Sequence, residues 1–154
     1  NLAAGGKIIT QSNKNPSWIN LAGKKLTTIF TTKTGVSGII KTDDLTTIAD
    51  LKTAISGVPI IVGGKYVSME QIKSEGYFGN ELYNTWHGFL GLRHNKPVYI
   101  AMQCGFDAMC WALVALGIYD AIKLDGGGSF ILHDEKTLTA TNENRRINNI
   151  GFWE

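Results

Sequence analysis

A carboxylate followed by three consecutive glycines is the stretch of this sequence best suited to chemistry. Asp125 ends an apolar run, and three glycines and a serine, residues 126–129, come directly after it. Glycine loses more backbone entropy on folding than any other residue, so such a run favours positive φ or close approach by a ligand. An acid beside free N–H groups and a hydroxyl indicates chemistry on a phosphate or a sugar.

Each part of this stretch also has a purely structural explanation. Asp125 could cap the glycine turn through its own backbone, and a glycine run is typical of a tight bulge. In a functional site, Asp125 would act as a general acid or stabilise positive charge on a sugar carbon. Glycosidases usually pair two carboxylates, and the sequence leaves the second one open. The candidates for it are Glu70, Glu75, Glu81 and Asp107.

The composition is that of a folded globular protein. The chain has 154 residues, of which 44% are hydrophobic and 18% are charged, so we expect a single domain over residues 1–154. A net charge of +2 does not favour a nucleic acid duplex as the partner. No apolar run is long enough for a membrane helix. Cys104 and Cys110 are expected to be buried free thiols, and no spacing indicates a metal site or a cofactor.

The predicted elements mix strands and helices. β-Branched residues predict a hairpin over 26–40, and further strands are expected at 7–10, 59–62, 89–92, 98–102, 118–124, 130–132 (leading into a hairpin through 133–136) and 147–153. Apolar spacing predicts helices over 45–55, 68–73 and 107–116. We therefore expect an α+β fold with a mixed, mostly antiparallel sheet and two or three helices.

Residues 117–129 resemble the signature of the phosphodiester glycosidase family, whose members include the lysosomal uncovering enzyme. Residues 54–65, 86–92 and 145–149 resemble three other blocks of that family, so the resemblance covers most of the chain from residue 54 onward. Residues 1–6 resemble a remnant of an early block. The chain departs from the family pattern at His87, where the family usually has arginine, and at Arg146, where it has proline.

The resemblance implies hydrolysis of a glycosidic bond to a phosphodiester-linked sugar or a nucleotide-like substrate. It implies that Asp125 and His87 are catalytic, although His87 could equally be a packed histidine beside Trp86. Arg145 or Arg146 would pair with phosphate, and Asn149 or Asn148 would hydrogen-bond a sugar. The implied substrate- and phosphate-binding residues are Gly126, Gly127, Gly128, Ser129, Arg145, Arg146, Asn148 and Asn149. The expected partners are a sugar phosphate, a glycopolymer or a nucleotide. No membrane partner is expected, and the protein could form a homo-oligomer.

The alternative is a non-catalytic phage protein that binds or sequesters a sugar nucleotide or a nucleotide signal in the same pocket. The short chain and the replacement of arginine by His87 favour this alternative, whereas the glycine signature favours the enzyme. Localisation stays open. No signal peptide is visible, and the chain begins at Asn1. We therefore expect the protein either to act in the cytoplasm of a phage-infected host or to belong to a larger extracellular or virion protein.

Overall fold

The computed structural model describes residues 1–14, 21–77, 84–126, 131–133 and 138–140. The strands in these ranges are β1 (Leu2–Ala4), β2 (Lys7–Thr10), β3 (Leu26–Thr32), β4 (Ser37–Thr42), β5 (Leu51–Ser56), β6 (Val58–Val62), β7 (Lys65–Tyr66), β8 (Thr85–Arg93), β9 (Lys96–Cys104), β10 (Asp120–Gly126), β11 (Ile131–His133) and β12 (Leu138–Ala140). The helices are α1 (Met69–Ser74) and α2 (Phe106–Ala115), with a 3-10 turn at Leu45–Thr47. No helix in this part of the chain has the length and apolar character needed to cross a membrane.

The described chain is mostly β, which corrects the predicted α+β class. Two five-stranded sheets account for most of it, with the strand orders β2-β1-β5-β3-β4 and β7-β6-β10-β8-β9. All pairings between the described strands are antiparallel, including the β11–β12 hairpin. The prediction of one mixed sheet with a substantial helical part is therefore wrong. The predicted strands extend further than expected and divide between two sheets.

The predicted helix over residues 45–55 is the largest local error. Asp44 does cap a helical turn, accepting a hydrogen bond from the Thr46 N–H at 2.9 Å, but only the 3-10 turn follows. β5 then runs through the middle of the first sheet, paired with β1 on one side and β3 on the other. Its register with β3 shifts near Lys52, which breaks the alternation of a regular strand. The irregular apolar spacing therefore imitates that of a helix.

The other helix predictions are confirmed. Ser68 caps α1, and its hydroxyl accepts a hydrogen bond from the Gln71 N–H at 3.2 Å. α2 ends just before Gly117, whose φ of +74° is the left-handed conformation that glycine adopts readily. The hairpins β3–β4, β8–β9 and β11–β12 also form as predicted.

Three layers result from the way these elements pack. Ile29 from the first sheet meets Leu90, Leu92 and Ile122 from the second, and these side chains form the core between the sheets. On the opposite face of the second sheet, a larger cluster joins β6, β8 and β10 to α1 and α2. The second sheet is thus covered on both faces. This explains why Ala121 and Ile122, which follow each other on β10 and belong to different clusters, are both fully buried.

Gly57 lies where the chain passes from the first sheet to the second. β5 ends at Ser56 and β6 begins at Val58, so one residue separates strands that belong to different sheets. A Cβ on Gly57 would collide with the carbonyl oxygen of Lys123 and would lie 3.2 Å from its carbonyl carbon. The crossing therefore brings the chain against the backbone of β10, at a distance that only glycine tolerates.

Glu75 connects the helix layer to the first sheet. Its side chain is fully buried at the end of α1 and accepts hydrogen bonds from the Thr27 N–H at 2.8 Å and from the Thr27 hydroxyl at 2.9 Å. The half-exposed ammonium of Lys41 lies 3.0 Å from Oε1. A buried carboxylate needs such partners, because an unpaired charge is expensive to remove from water.

The substitution Glu75→Ala is expected to lower the free energy of unfolding by about 2–3 kcal/mol, because it leaves the buried Thr27 N–H without its acceptor. Urea denaturation measures this change. The same substitution at Glu70, which is exposed on the same helix, should change stability by no more than about 0.5 kcal/mol. Equal losses in the two variants would contradict this role for Glu75.

Candidate functional site

The C-terminal end of β10 is where the structure places Asp125. Asp125 is the penultimate residue of β10, as the sequence predicted for a strand that delivers this residue to its end. Lys123 lies opposite Phe89 of β8, and Gly126 lies opposite His87. The three steps from residue 123 to 126 on β10 therefore match only the two from 89 to 87 on β8. One extra residue is accommodated, so Leu124 and Asp125 form a β-bulge.

The bulge brings the backbones of the two predicted catalytic residues together. Asp125 directly precedes Gly126, and Gly126 is the partner of His87 on the neighbouring strand. A bulge bends its strand and changes the direction of its side chains, and bulges are frequent beside active sites for that reason.

His87 is a buried histidine on the helix-facing side of the second sheet. Its side chain is 1% exposed, and its ring meets that of Phe89 edge-on, with centroids 6.0 Å apart. Trp86 comes one residue earlier on β8, so strand alternation sends it to the opposite face. The histidine is thus packed, but against Phe89 rather than beside Trp86. It lies in the low-dielectric surroundings in which a proton donor or acceptor interacts strongly with a neighbouring charge.

Lys123 is a buried cation that the sequence reasoning missed. Its side chain is 5% exposed, and its Nζ donates a hydrogen bond to the Leu124 carbonyl at 3.1 Å. Lys123 occurs within the apolar run that leads to Asp125, at an alternating position shared with the buried Ala121. A lysine at an inward position of a core strand is the signal that could have identified it, because lysine is almost never fully buried without a partner.

Two stretches of the family resemblance meet at the opposite end of β10. The Asp120 carboxylate accepts a hydrogen bond from the Gly63 N–H at 2.7 Å, and the Gly64 N–H donates to the Tyr119 carbonyl at 2.8 Å. The Tyr119 ring lies against Gly64, where a Cβ would be 2.9 Å from Cε2. Asp120 therefore holds the turn after β6, which is a structural role.

The start of the chain packs against residues 54–65, one of these two stretches. The Asn1 amide donates to the Thr28 hydroxyl at 3.1 Å and to the Thr42 carbonyl at 2.9 Å. The Thr28 hydroxyl is also 2.6 Å from that of Ser56. Asn1 and Ser56 thus belong to one polar network on the first sheet. The network satisfies polar groups of adjacent strands, and its geometry explains it without a ligand.

Several predicted site residues lie outside the described residues, namely Gly127, Gly128, Ser129, Arg145, Arg146, Asn148 and Asn149, and so does the predicted strand at 147–153. Their roles stay predictions. Gly126 is described as the last residue of β10.

Among the candidates for a second carboxylate, Glu75 is committed to its bonds with Thr27 and Lys41. Glu70 and Asp107 are exposed residues in the first turns of α1 and α2. Glu81 is outside the described part. The described residues therefore leave the second carboxylate open.

The two cysteines are free and buried, as predicted. Burial raises the pKa of the Cys104 thiol, and burial together with the electrostatic effects of the neighbouring Asp107 carboxylate and Cys104 raises the pKa of Cys110 to about 11. Both thiols are therefore protonated at neutral pH, which makes them poor nucleophiles. In the described ranges, no group of three or more His, Cys, Asp or Glu side chains could hold a metal ion.

Comparison with known proteins supports the fold. No family model matches the sequence, and no curated protein matches it significantly. Among solved structures, the zebrafish N-acetylglucosamine-1-phosphodiester alpha-N-acetylglucosaminidase catalytic domain, auto-inhibited by its pro-peptide, is similar to this chain with a TM-score of 0.50 and 15% sequence identity. The similarity covers 68% of this chain and 41% of that domain. This protein therefore has a fold related to that of the catalytic domain, over less than half of the domain's length.

Proposed function

We propose that this protein hydrolyses the glycosidic bond to a phosphodiester-linked sugar, or to a nucleotide-like analogue, at the C-terminal end of β10. The observation that carries the proposal is the bulge at Leu124 and Asp125, which sets the backbone of Asp125 beside His87. The fold similarity to a phosphodiester alpha-N-acetylglucosaminidase supports it. The resemblance of residues 117–129 to the phosphodiester glycosidase signature supports it independently of the fold.

In this proposal the chemistry takes place at the anomeric carbon of the sugar. The bond from this carbon to the phosphate oxygen breaks, and its electron pair leaves with the phosphate. The Asp125 carboxylate stabilises the positive charge that develops on the sugar carbon. A water oxygen then bonds to that carbon and gives up a proton to a base, for which Asp125 is the candidate. The products are a free sugar and a phosphate monoester.

The phosphate is held by the residues that follow β10. N–H groups of Gly126, Gly127 and Gly128 and the hydroxyl of Ser129 would donate to its oxygens, because consecutive N–H groups form an anion-binding concavity. His87 would donate a further hydrogen bond to the phosphate. Arg145 or Arg146 would add a charged pair to the phosphate oxygens, and Asn148 or Asn149 would hold the sugar.

A second function, binding without cleavage, is favoured by the environment of His87. A histidine that is 1% exposed and packed edge-on against Phe89 suits a fixed hydrogen-bond donor better than a group that exchanges protons with water during turnover. Such a protein would retain a sugar nucleotide or a nucleotide signal in the same pocket. The recognition groups would be unchanged, and only turnover would be missing.

Incubation with two probes tests the proposal. The probes are the methyl phosphodiester of N-acetylglucosamine 1-phosphate and UDP-N-acetylglucosamine. The reaction is monitored by phosphorus NMR, and the bound compound is identified by mass analysis after the protein is denatured. Hydrolysis predicts loss of a probe signal together with release of free N-acetylglucosamine. Recovery of intact probe from the purified complex supports the binding function. If neither probe is cleaved or retained, the proposed function is wrong.

A further inference from the structure

Lys123 is a buried charge that neither the fold nor the proposed reaction has so far used. It lies between Val58 of β6 and Phe89 of β8, which are its partners on the two neighbouring strands. Both belong to the buried cluster that joins the second sheet to the helices. Directly opposite residues share a face of the sheet, so the lysine stem runs among apolar side chains. Placing an ammonium there costs free energy, and a leucine or methionine would fit such a row at lower cost.

The hydrogen bond made by this ammonium falls on the bulge itself. Its Nζ donates to the carbonyl of Leu124, the first of the two residues between the paired positions 123 and 126. A bulge leaves backbone groups outside the regular ladder, and a buried carbonyl needs a donor. The contact is local in sequence but unusual in kind, because a charged donor serves a backbone acceptor in the sheet interior.

The Leu124 carbonyl and the N–H of Asp125 belong to the same planar peptide group. Fixing the direction of the carbonyl therefore fixes the plane through which the chain enters Asp125. At a bulge this plane is not set by strand pairing, since the extra residue is unpaired. The Lys123 ammonium thus fixes the orientation of a peptide plane that strand pairing leaves free. This peptide directly precedes Asp125, the residue proposed to act on the sugar.

We propose that Lys123 is the positioning residue of this site, holding the peptide between Leu124 and Asp125 so that the carboxylate leaves the strand in the productive direction. This rests on the proposed function of Asp125. Lys123 acts through the backbone and does not touch the substrate. It is therefore distinct from the groups proposed to bind phosphate.

A structural lysine and a positioning lysine differ in the turnover of the protein that stays folded. Lys123→Met removes the donor to the Leu124 carbonyl, so the thermal midpoint should fall in either case. Only a positioning lysine predicts that turnover per folded molecule falls as well. Lys123→Gln keeps an N–H donor without the charge, and it should recover part of the lost turnover.

The experiment measures kcat and KM for the methyl phosphodiester of N-acetylglucosamine 1-phosphate by phosphorus NMR, together with the thermal midpoint. Lys123→Met is expected to lower kcat about tenfold or more, because small errors of position are costly in catalysis, with KM near the wild-type value. If the protein retains the diester without cleaving it, the expected result is a loss of affinity of similar size. Lys96→Met, the same change at an exposed position of β9, serves as the control.

Three results would overturn the inference while leaving the proposed function intact. The first is wild-type activity in Lys123→Met. The second is a loss of activity that only matches the loss of folded protein, with wild-type turnover in the fraction that stays folded, which would make the lysine structural. The third is a rise in KM alone, with Lys123→Gln as impaired as Lys123→Met, which would make the lysine a phosphate-binding cation. A wild-type protein that neither cleaves nor binds the diester would overturn the proposed function and this inference together.

Discussion

Asp125→Asn is expected to lower the turnover of the methyl phosphodiester by about 10²–10⁴-fold, the usual effect of removing a group that transfers a proton or stabilises charge in the transition state. Asparagine has nearly the same size and shape, so the strand and the bulge should persist. The free energy of unfolding should therefore stay close to the wild-type value. Steady-state kinetics by phosphorus NMR and urea denaturation measure the two quantities on the same protein preparation.

Asp120→Asn is the matched control, because it makes the same chemical change on the same strand. Asp120 accepts a hydrogen bond from the Gly63 N–H at the far end of β10, and an asparagine oxygen can still accept it. Turnover should remain near the wild-type value in this variant. Full activity in Asp125→Asn would show that the site has been assigned to the wrong residue.

Gly57→Ala is expected to have the largest effect on stability, lowering the free energy of unfolding by about 3 kcal/mol or more. The added methyl group would collide with the carbonyl oxygen of Lys123, which is backbone and has no rotamer by which to escape. It would also lie 3.3 Å from the Cβ of Ile122. Either the crossing between the sheets or β10 itself must shift, so the change should disturb the strand that carries Asp125 as well.

Gly105→Ala provides the comparison for this variant. Gly105 precedes α2 with a φ of −91°, and its nearest neighbour for a Cβ is the Asn84 Cβ at 3.9 Å. The same substitution there should change stability by less than about 1 kcal/mol. If the two variants had similar denaturation midpoints, the β10 backbone at Lys123 would have to shift at little cost. That result would contradict the close approach of Gly57 to β10.

The register shift in β5 explains why that strand could not be predicted from the sequence, whereas two of the hairpins could. The hairpins β3–β4 and β8–β9 could be predicted, because β-branched and aromatic runs around short turns have few other interpretations. β5 could not. Its register shift near Lys52 disrupts the period of two, so that Leu51 and Ile55 join different clusters, and the remaining spacing resembles a helix.

The candidate site shows the same limit. Asp125 at a strand end follows from an apolar run that stops at a carboxylate, and the resemblance to a family signature points to the same residue. The proximity of His87 depends on the pairing of β10 with β8, which no local pattern fixes. The role proposed for Lys123 depends on a hydrogen bond to a bulged carbonyl. Long-range pairing and unpaired backbone groups are properties of the folded chain, so they become visible only in three dimensions.

A crystal structure of Asp125→Asn with the intact methyl phosphodiester of N-acetylglucosamine 1-phosphate would test the central claim most directly. The slow variant should retain the uncleaved compound. The predicted result is a phosphate beside Gly126 and His87 at the C-terminal end of β10, with the sugar carbon facing residue 125. A ligand bound at the other end of the strand, near the turn at Gly63 and Gly64, or no bound ligand at concentrations where the wild type turns it over, would contradict the assignment.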